Sequence, residues 1–167
     1  HGTALGIGER CGNAALDQLL TNLHLAGYRT RRPTDLSQLP AYAQLAADAT
    51  ETTLPANYPM LGRDAFQTAT GIHASAVVKA LRHGDEALAN GVYSGVPAHL
   101  LGRQQEISIG PFSGRANVLY WLERRGMTVS EPLIHEILKH AKQADKCLTD
   151  NQVLACLQLN QVVAESL

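Results

Sequence analysis

The first apolar run, Thr3 to Leu5, is broken by Gly6 and Gly8, and apolar residues resume at Leu16, Leu19, Leu20 and Leu23 with the spacing of one helix face. This order predicts a short strand, a glycine turn and a helix. Gly27 stops the period, and Tyr28-Arg-Thr-Arg-Arg-Pro33 follows as a basic link, suited either to a phosphate or carboxylate or to plain solvation. A second helix is expected from a Thr34 cap to about Thr50, with Pro40 in its first turns and Leu36, Leu39, Ala43, Ala46 and Ala47 on one face. From Glu51 to Phe66, Pro55, Pro59 and Gly62 interrupt every period, which marks an irregular segment and a candidate boundary.

The remainder reads as helices with one strand. Ile72, Ala76, Val77, Ala80 and Leu81 give a helix its apolar face, and a short helix follows from Asp85 to Ala89. Glu106-Ile-Ser-Ile-Gly110 alternates as a strand does. After Ser113-Gly114-Arg115 a helix turns Val118, Leu119 and Leu122 inward, with Tyr120 and Trp121 in a core or interface. Ser130-Glu-Pro132 starts a helix with Leu133, Ile137, Leu138 and Ala141 on its face, and Thr149-Asp150 starts a last one with Val153, Leu154, Leu157 and Val162. The class expected is mainly α with few short strands. A lone strand–helix unit has no partner for its strand, so the opening residues read as the tail of a longer protein.

Composition narrows the function classes. A formal net charge of −1 with 17% charged residues offers no excess of basic surface for nucleic acid or an anionic membrane. No apolar run approaches a membrane span. Cys11, Cys147 and Cys156 form an odd set without zinc spacing, as expected of reduced thiols in a cytoplasmic protein.

Candidate chemistry lies in four places. Glu9, Arg10 and Asn13 cluster at an expected helix start, where free N–H groups favour anions and oxygen ligands, or where Asn13 simply caps. His73 stands at the entrance of the third helix, where an imidazole can serve as general acid or base or only as a cap. Tyr93 can donate a hydrogen bond to a developing oxyanion or anchor its loop. Ser113 and Arg115 suit an anion, whether substrate carboxylate or coenzyme phosphate, or a serine cap. His135 and His140 are excluded as a zinc-protease pair, because five residues turn them roughly 140° apart on a helix.

Read as strings, these places resemble one family. Gly6-Ile-Gly-Glu-Arg-Cys-Gly-Asn13, Gly71-Ile-His73, Tyr93 through Pro97 to Gly102-Arg103, and Ser113-Gly-Arg115 resemble, in order, the motifs of 2-isopropylmalate synthase and its relatives, metal-dependent Claisen-type acyltransferases. Ala74-Ser75 departs from the Gln-Asp or Ala-Asp common in those synthases. The resemblance implies that residues 1–52 are the last strand and helix of a TIM barrel with the helix after it, 53–126 a small α/β post-catalytic subdomain, and 127–167 a helical subdomain. It implies that Asn13 lies at a divalent metal (Mg, Mn or Zn) whose other ligands are upstream, so the chain alone is expected to hold none. Gly12 neighbours that pocket, His73 and Tyr93 act at the reacting centre, and Ser113 and Arg115 bind substrate or coenzyme. The implied parent, a cytoplasmic homodimer, condenses acetyl-CoA with a 2-oxo acid, foremost 2-oxoisovalerate in leucine biosynthesis. Homocitrate and citramalate synthases share the architecture, and a non-catalytic helical dimerisation module is the alternative of another class.

Overall fold

The computed structural model describes residues 1–28, 31 and 34–165, with side chains to residue 157; most of the basic link, including Arg29 and Arg32, lies outside the described residues. The described residues are mainly helical with four two-residue strands, and none of their helices is long and apolar enough to cross a membrane. Two compact units emerge, His1–Phe66 with Ser94–Gln104, and Gln67–Tyr93 with Gln105–Leu167. The segment 53–126, expected as one subdomain, contributes to both.

In the first unit, β1 (Gly2–Thr3) pairs in parallel with β2 (Ala14–Ala15), Gly2 opposite Ala14. The intervening turn ends at Asn13, and α1 starts only at Leu16 and runs to Leu25. Asn13 therefore caps no helix. The fully buried positions of α1 are Asp17 and Thr21, not its leucines, of which Leu19 remains 41% exposed. The reason is a hydrogen bond: Asp17 Oδ1 accepts from Leu5 N at 3.1 Å, which holds Leu5 in a left-handed conformation at φ 55°.

The second expected helix is two pieces, a 3-10 turn (Leu36–Gln38) and α2 (Leu39–Ala49). Its cap is Asp35 in place of Thr34, since Asp35 Oδ1 accepts from Ser37 N at 3.0 Å and from Ser37 Oγ at 2.6 Å. These bonds hold the Asp35 carboxyl below its ordinary range. Pro40 sits in the first turn of α2, where no N–H is needed. Leu36, Leu39 and Ala43 meet Met60, Leu61, Phe66, Ala98 and Leu101 in the core. The irregular loop is held by Arg103, which donates from Nη1 to Met60 O and Gly62 O (3.1 and 2.7 Å) and lies over the Phe66 ring at 5.0 Å.

In the second unit, β3 (Gln67–Thr68) pairs in parallel with β4 (Glu106–Ile107). The strand expected to reach Gly110 stops early because Ser108 O is taken by Asn117 Nδ2 (2.9 Å) and Ile109 O by Leu148 N (2.7 Å). Helices α3 (Gly71–Arg82) and α4 (Glu86–Gly91, capped by Asp85) pack together, and α3 also meets α5 (Arg115–Arg124). The buried face of α3 is Ala74, Val77, Val78 and Ala80, while Ile72, expected inward, is exposed. Helices α6 (Glu131–Gln143) and α7 (Asp150–Glu165) complete the unit around Val118, Trp121, Leu122, Ile134, Ile137 and Val153. Ser130 caps α6, and Thr149 with Gln152 forms a reciprocal capping box on α7.

Asn117 is fully buried and holds this unit together. Its Nδ2 donates to Ala69 O and Ser108 O, both at 2.9 Å, and its Oδ1 accepts from Gly114 N at 3.1 Å. Asn117→Ala would take the partner from Ser108 O and Gly114 N, while Ala69 O keeps the Ser113 hydroxyl, at about 1–3 kcal/mol for each group left unpaired before relaxation. Urea denaturation should show stability lower by about 3 kcal/mol; a loss under about 0.5 kcal/mol would mean that the bonds are dispensable. Cys156 is buried too, and burial with Glu136 nearby pushes its thiol above the ordinary range. A maleimide should label exposed Cys11 in the native protein and reach Cys156 only in denaturant. Equal native rates for both thiols would contradict that packing.

Candidate functional site

Each of the four sequence motifs has a definite local structure. In the first unit, the turn from Gly6 to Asn13 closes on itself through Asn13 N to Gly6 O (2.8 Å) and Gly12 N to Glu9 O (2.9 Å). Gly12, at φ +91°, has no room for a side chain, because a Cβ would lie 2.1 Å from Gly6 O. Gly12 is thus a backbone requirement of the turn. Asn13 is exposed, and its Nδ2 approaches Ile7 O at 3.4 Å, which leaves its carboxamide oxygen without a hydrogen bond among the described residues. That oxygen can serve as one metal ligand. One oxygen ligand is not in itself a metal site, and no group of three His, Cys, Asp or Glu able to hold a metal occurs among the described residues.

Gly71-Ile-His73, Tyr93 and Ser113-Gly-Arg115 lie in the second unit, whereas the third motif continues from Ser94 to Arg103 in the first. His73 lies in the first turn of α3, and Tyr93 follows α4 with its backbone left-handed at φ 57°. That conformation is unfavourable for a tyrosine by about 1–2 kcal/mol. The tyrosine ring stacks on the imidazole with centroids 4.0 Å apart and planes inclined by 30°. Neither side chain makes a hydrogen bond among the described residues, and Tyr93 is 61% exposed. Both imidazole nitrogens and the phenol oxygen remain free to meet a ligand.

Ser113 and Arg115 take other parts. The N-cap of α5 is Gly114, not Ser113. Ser113 is buried, accepts from Gly110 N at 2.8 Å and donates its proton to Ala69 O at 2.7 Å, so it presents no free hydroxyl to an anion. Arg115 is exposed and ion-paired with Glu131, which holds the guanidinium above and the carboxyl below their ordinary ranges. The Ser-Gly-Arg string matters sterically. Gly71 N donates to Phe112 O at 2.9 Å, and a Cβ on Gly71 would stand 2.9 Å from Gly114 N. Two motifs that are far apart in the sequence thus fit together glycine to glycine, which fixes the helix start that carries His73. Sequence reasoning missed Asn117, the clamp behind that fit; its one signal was a carboxamide on the inward face beside Val118.

No family model matches the chain. Among curated proteins it is similar to the (R)-citramalate synthase of Aquifex aeolicus, 31% identical over 149 residues, covering 87% of this chain and 26% of that protein. The homocitrate synthase of Pyrococcus horikoshii is 30% identical over 148 residues, 88% of this chain and 37% of that protein. The 2-isopropylmalate synthase of Geobacillus stearothermophilus is 29% identical over 161 residues, 93% of this chain and 30% of that protein. Kinship is therefore with synthases. The chain belongs to the family of citramalate, homocitrate and 2-isopropylmalate synthases, and spans about a third of the length of the relatives it matches.

The glycine contact behind His73 is testable in the chain itself. Gly71→Ala must move the loop at Gly114 and should cost about 1–3 kcal/mol, read by thermal or urea unfolding. Gly91→Ala, where a Cβ meets nothing within 4 Å, is the control. Equal effects of the two would refute the contact.

Proposed function

We propose that this chain is the post-catalytic part of a 2-isopropylmalate synthase-like acyltransferase, with residues 1–52 the end of a TIM barrel, 53–126 a first subdomain and 127–167 a helical second one. The stacked His73–Tyr93 pair, with its polar atoms uncommitted, is the observation that carries the reading. In the parent reaction a base removes a proton from the methyl group of acetyl-CoA, and the resulting carbanion attacks the ketone carbon of a 2-oxo acid. The ketone oxygen gains a proton, and water then cleaves the thioester to release CoA. His73 is suited to move the proton, and Tyr93 to donate a hydrogen bond to the oxygen that develops charge. The foremost 2-oxo acid is 2-oxoisovalerate, which would place the protein in leucine biosynthesis. The names of the Aquifex and Pyrococcus relatives support citramalate or homocitrate formation as the second reading.

The divalent metal of this proposal belongs to the full-length protein, to which this chain would add Asn13. The isolated chain is therefore expected to be inactive. Full-length protein with Mg²⁺ or Mn²⁺, acetyl-CoA and a panel of 2-oxo acids should release CoA with one preferred acid. His73→Ala should lower turnover by about a hundredfold, the scale of an acid–base group, with Tyr93→Phe lower as well and the homodimer intact by light scattering. Unchanged turnover in both variants would leave the chain a helical dimerisation module without chemistry.

A further inference from the structure

Gly6, Gly8 and Gly12 shape the turn that ends at Asn13, and the backbone requires two of them. Gly6 and Gly12 have left-handed φ of +72° and +91°, and a Cβ on either would meet a carbonyl oxygen of the turn, 2.9 Å from Asn13 O and 2.1 Å from Gly6 O respectively. Gly8 differs. Its φ lies outside the left-handed region that favours glycine, so its backbone conformation gives no reason for a bare Cα. What the missing side chain leaves free is the place of a carboxamide: a Cβ on Gly8 would stand 2.1 Å from Asn13 Nδ2 and 3.2 Å from Asn13 Cγ. The same Nδ2 donates to Ile7 O at 3.4 Å, and that carbonyl is held by the Thr3 hydroxyl, which donates to it at 2.6 Å.

We infer that Gly8 is a positioning residue for Asn13: its bare backbone seats the amide nitrogen against residues 7 and 8, which leaves the carboxamide oxygen as the end offered to a divalent cation. The inference rests on the functional reading above, in which Asn13 supplies one oxygen ligand, and deepens it. An asparagine side chain has two ends of opposite chemistry, and only the oxygen suits a hard cation. Ile7 O is an acceptor and can face only the N–H end, so this carbonyl decides which end is left over. Oδ1 accordingly makes no hydrogen bond among the described residues. A ligand already held in one orientation spares the cost of ordering it when the cation binds. The seat is not a packing need of the fold. A methyl group at residue 8 meets the far end of an exposed, flexible side chain, which can swing aside.

The test is Mn²⁺ binding to the full-length protein, read by the paramagnetic resonance of the free ion, for the wild type, Gly8→Ala, Asn13→Ala and the variant carrying both changes, with thermal unfolding of each. Asn13→Ala should weaken binding, and Gly8→Ala should weaken it by about tenfold to a hundredfold, the usual scale for losing a group that orients a metal ligand. The melting temperature of Gly8→Ala should match that of the wild type, whereas Gly12→Ala, whose Cβ meets backbone, should lower it. In the double variant the change at residue 8 should add nothing, because no carboxamide remains to be displaced. Wild-type affinity in Gly8→Ala beside weakened binding in Asn13→Ala would overturn the inference and leave the functional reading standing. A Gly8→Ala protein that melts lower or does not fold, or further weakening in the double variant, would overturn it too, since Gly8 would then serve the backbone. Undiminished Mn²⁺ binding by Asn13→Ala, or none by the wild type, would sink the part of Asn13 in the functional reading, and the seat with it.

Discussion

The second unit depends on a carboxamide that water cannot reach. Asn117 satisfies the ends of β3 and β4 with its two N–H bonds and the start of its own helix with its oxygen. Burial of the carboxamide makes these bonds hard to do without, because its own polar atoms and Ser108 O would otherwise lose their partners away from water. Ser113 repeats the device one loop away, joining Gly110 to Ala69. Between them they end a short parallel pair, shape the loop that follows and set the start of α5. Everything near His73 inherits that rigidity, since the glycine pair 71 and 114 can meet only if the loop is held in place.

The first unit solves a different problem with a similar economy. Its turn requires left-handed backbone at Leu5, Gly6, Arg10 and Gly12, and two of these are not glycine. The carboxylate of Asp17, fully buried, holds the amide of Leu5 and so offsets the cost of that conformation. In exchange, the leucines of α1 are not its most deeply buried side chains. Arg103 plays the corresponding part for the loop at 60–66, where three carbonyl oxygens and an aromatic face surround its guanidinium. The Gly-Arg pair is thus a structural clamp.

Local architecture separates the motif residues whose polar atoms are uncommitted from those that the fold uses. His73 and Tyr93 have solvent access and polar atoms without hydrogen bonds among the described residues. Ser113 and Gly12, drawn from the same motifs, are consumed by the backbone around them. A short motif can recur because its glycine fits a backbone or its serine ties a loop, so a motif match alone does not distinguish a binding residue from a brace.

The sequence by itself determined the helical class, the places of nearly all the helices, the irregular segment at 51–66 and the order of motifs that identifies the family. These are local properties: apolar period, breakers and caps act within a few residues of themselves. Helix boundaries at Leu16 and Leu39 were not legible, because the bonds that set them, Leu5 N to Asp17 and Ser37 to Asp35, compete with equally good local caps at Asn13 and Thr34. Nor were the outward turn of Ile72, the early end of the strand at Ile107 and the ring stack of His73 on Tyr93. Each depends on groups brought together from distant parts of the chain, and only tertiary packing decides which donor reaches a given carbonyl and which side chain is left facing water.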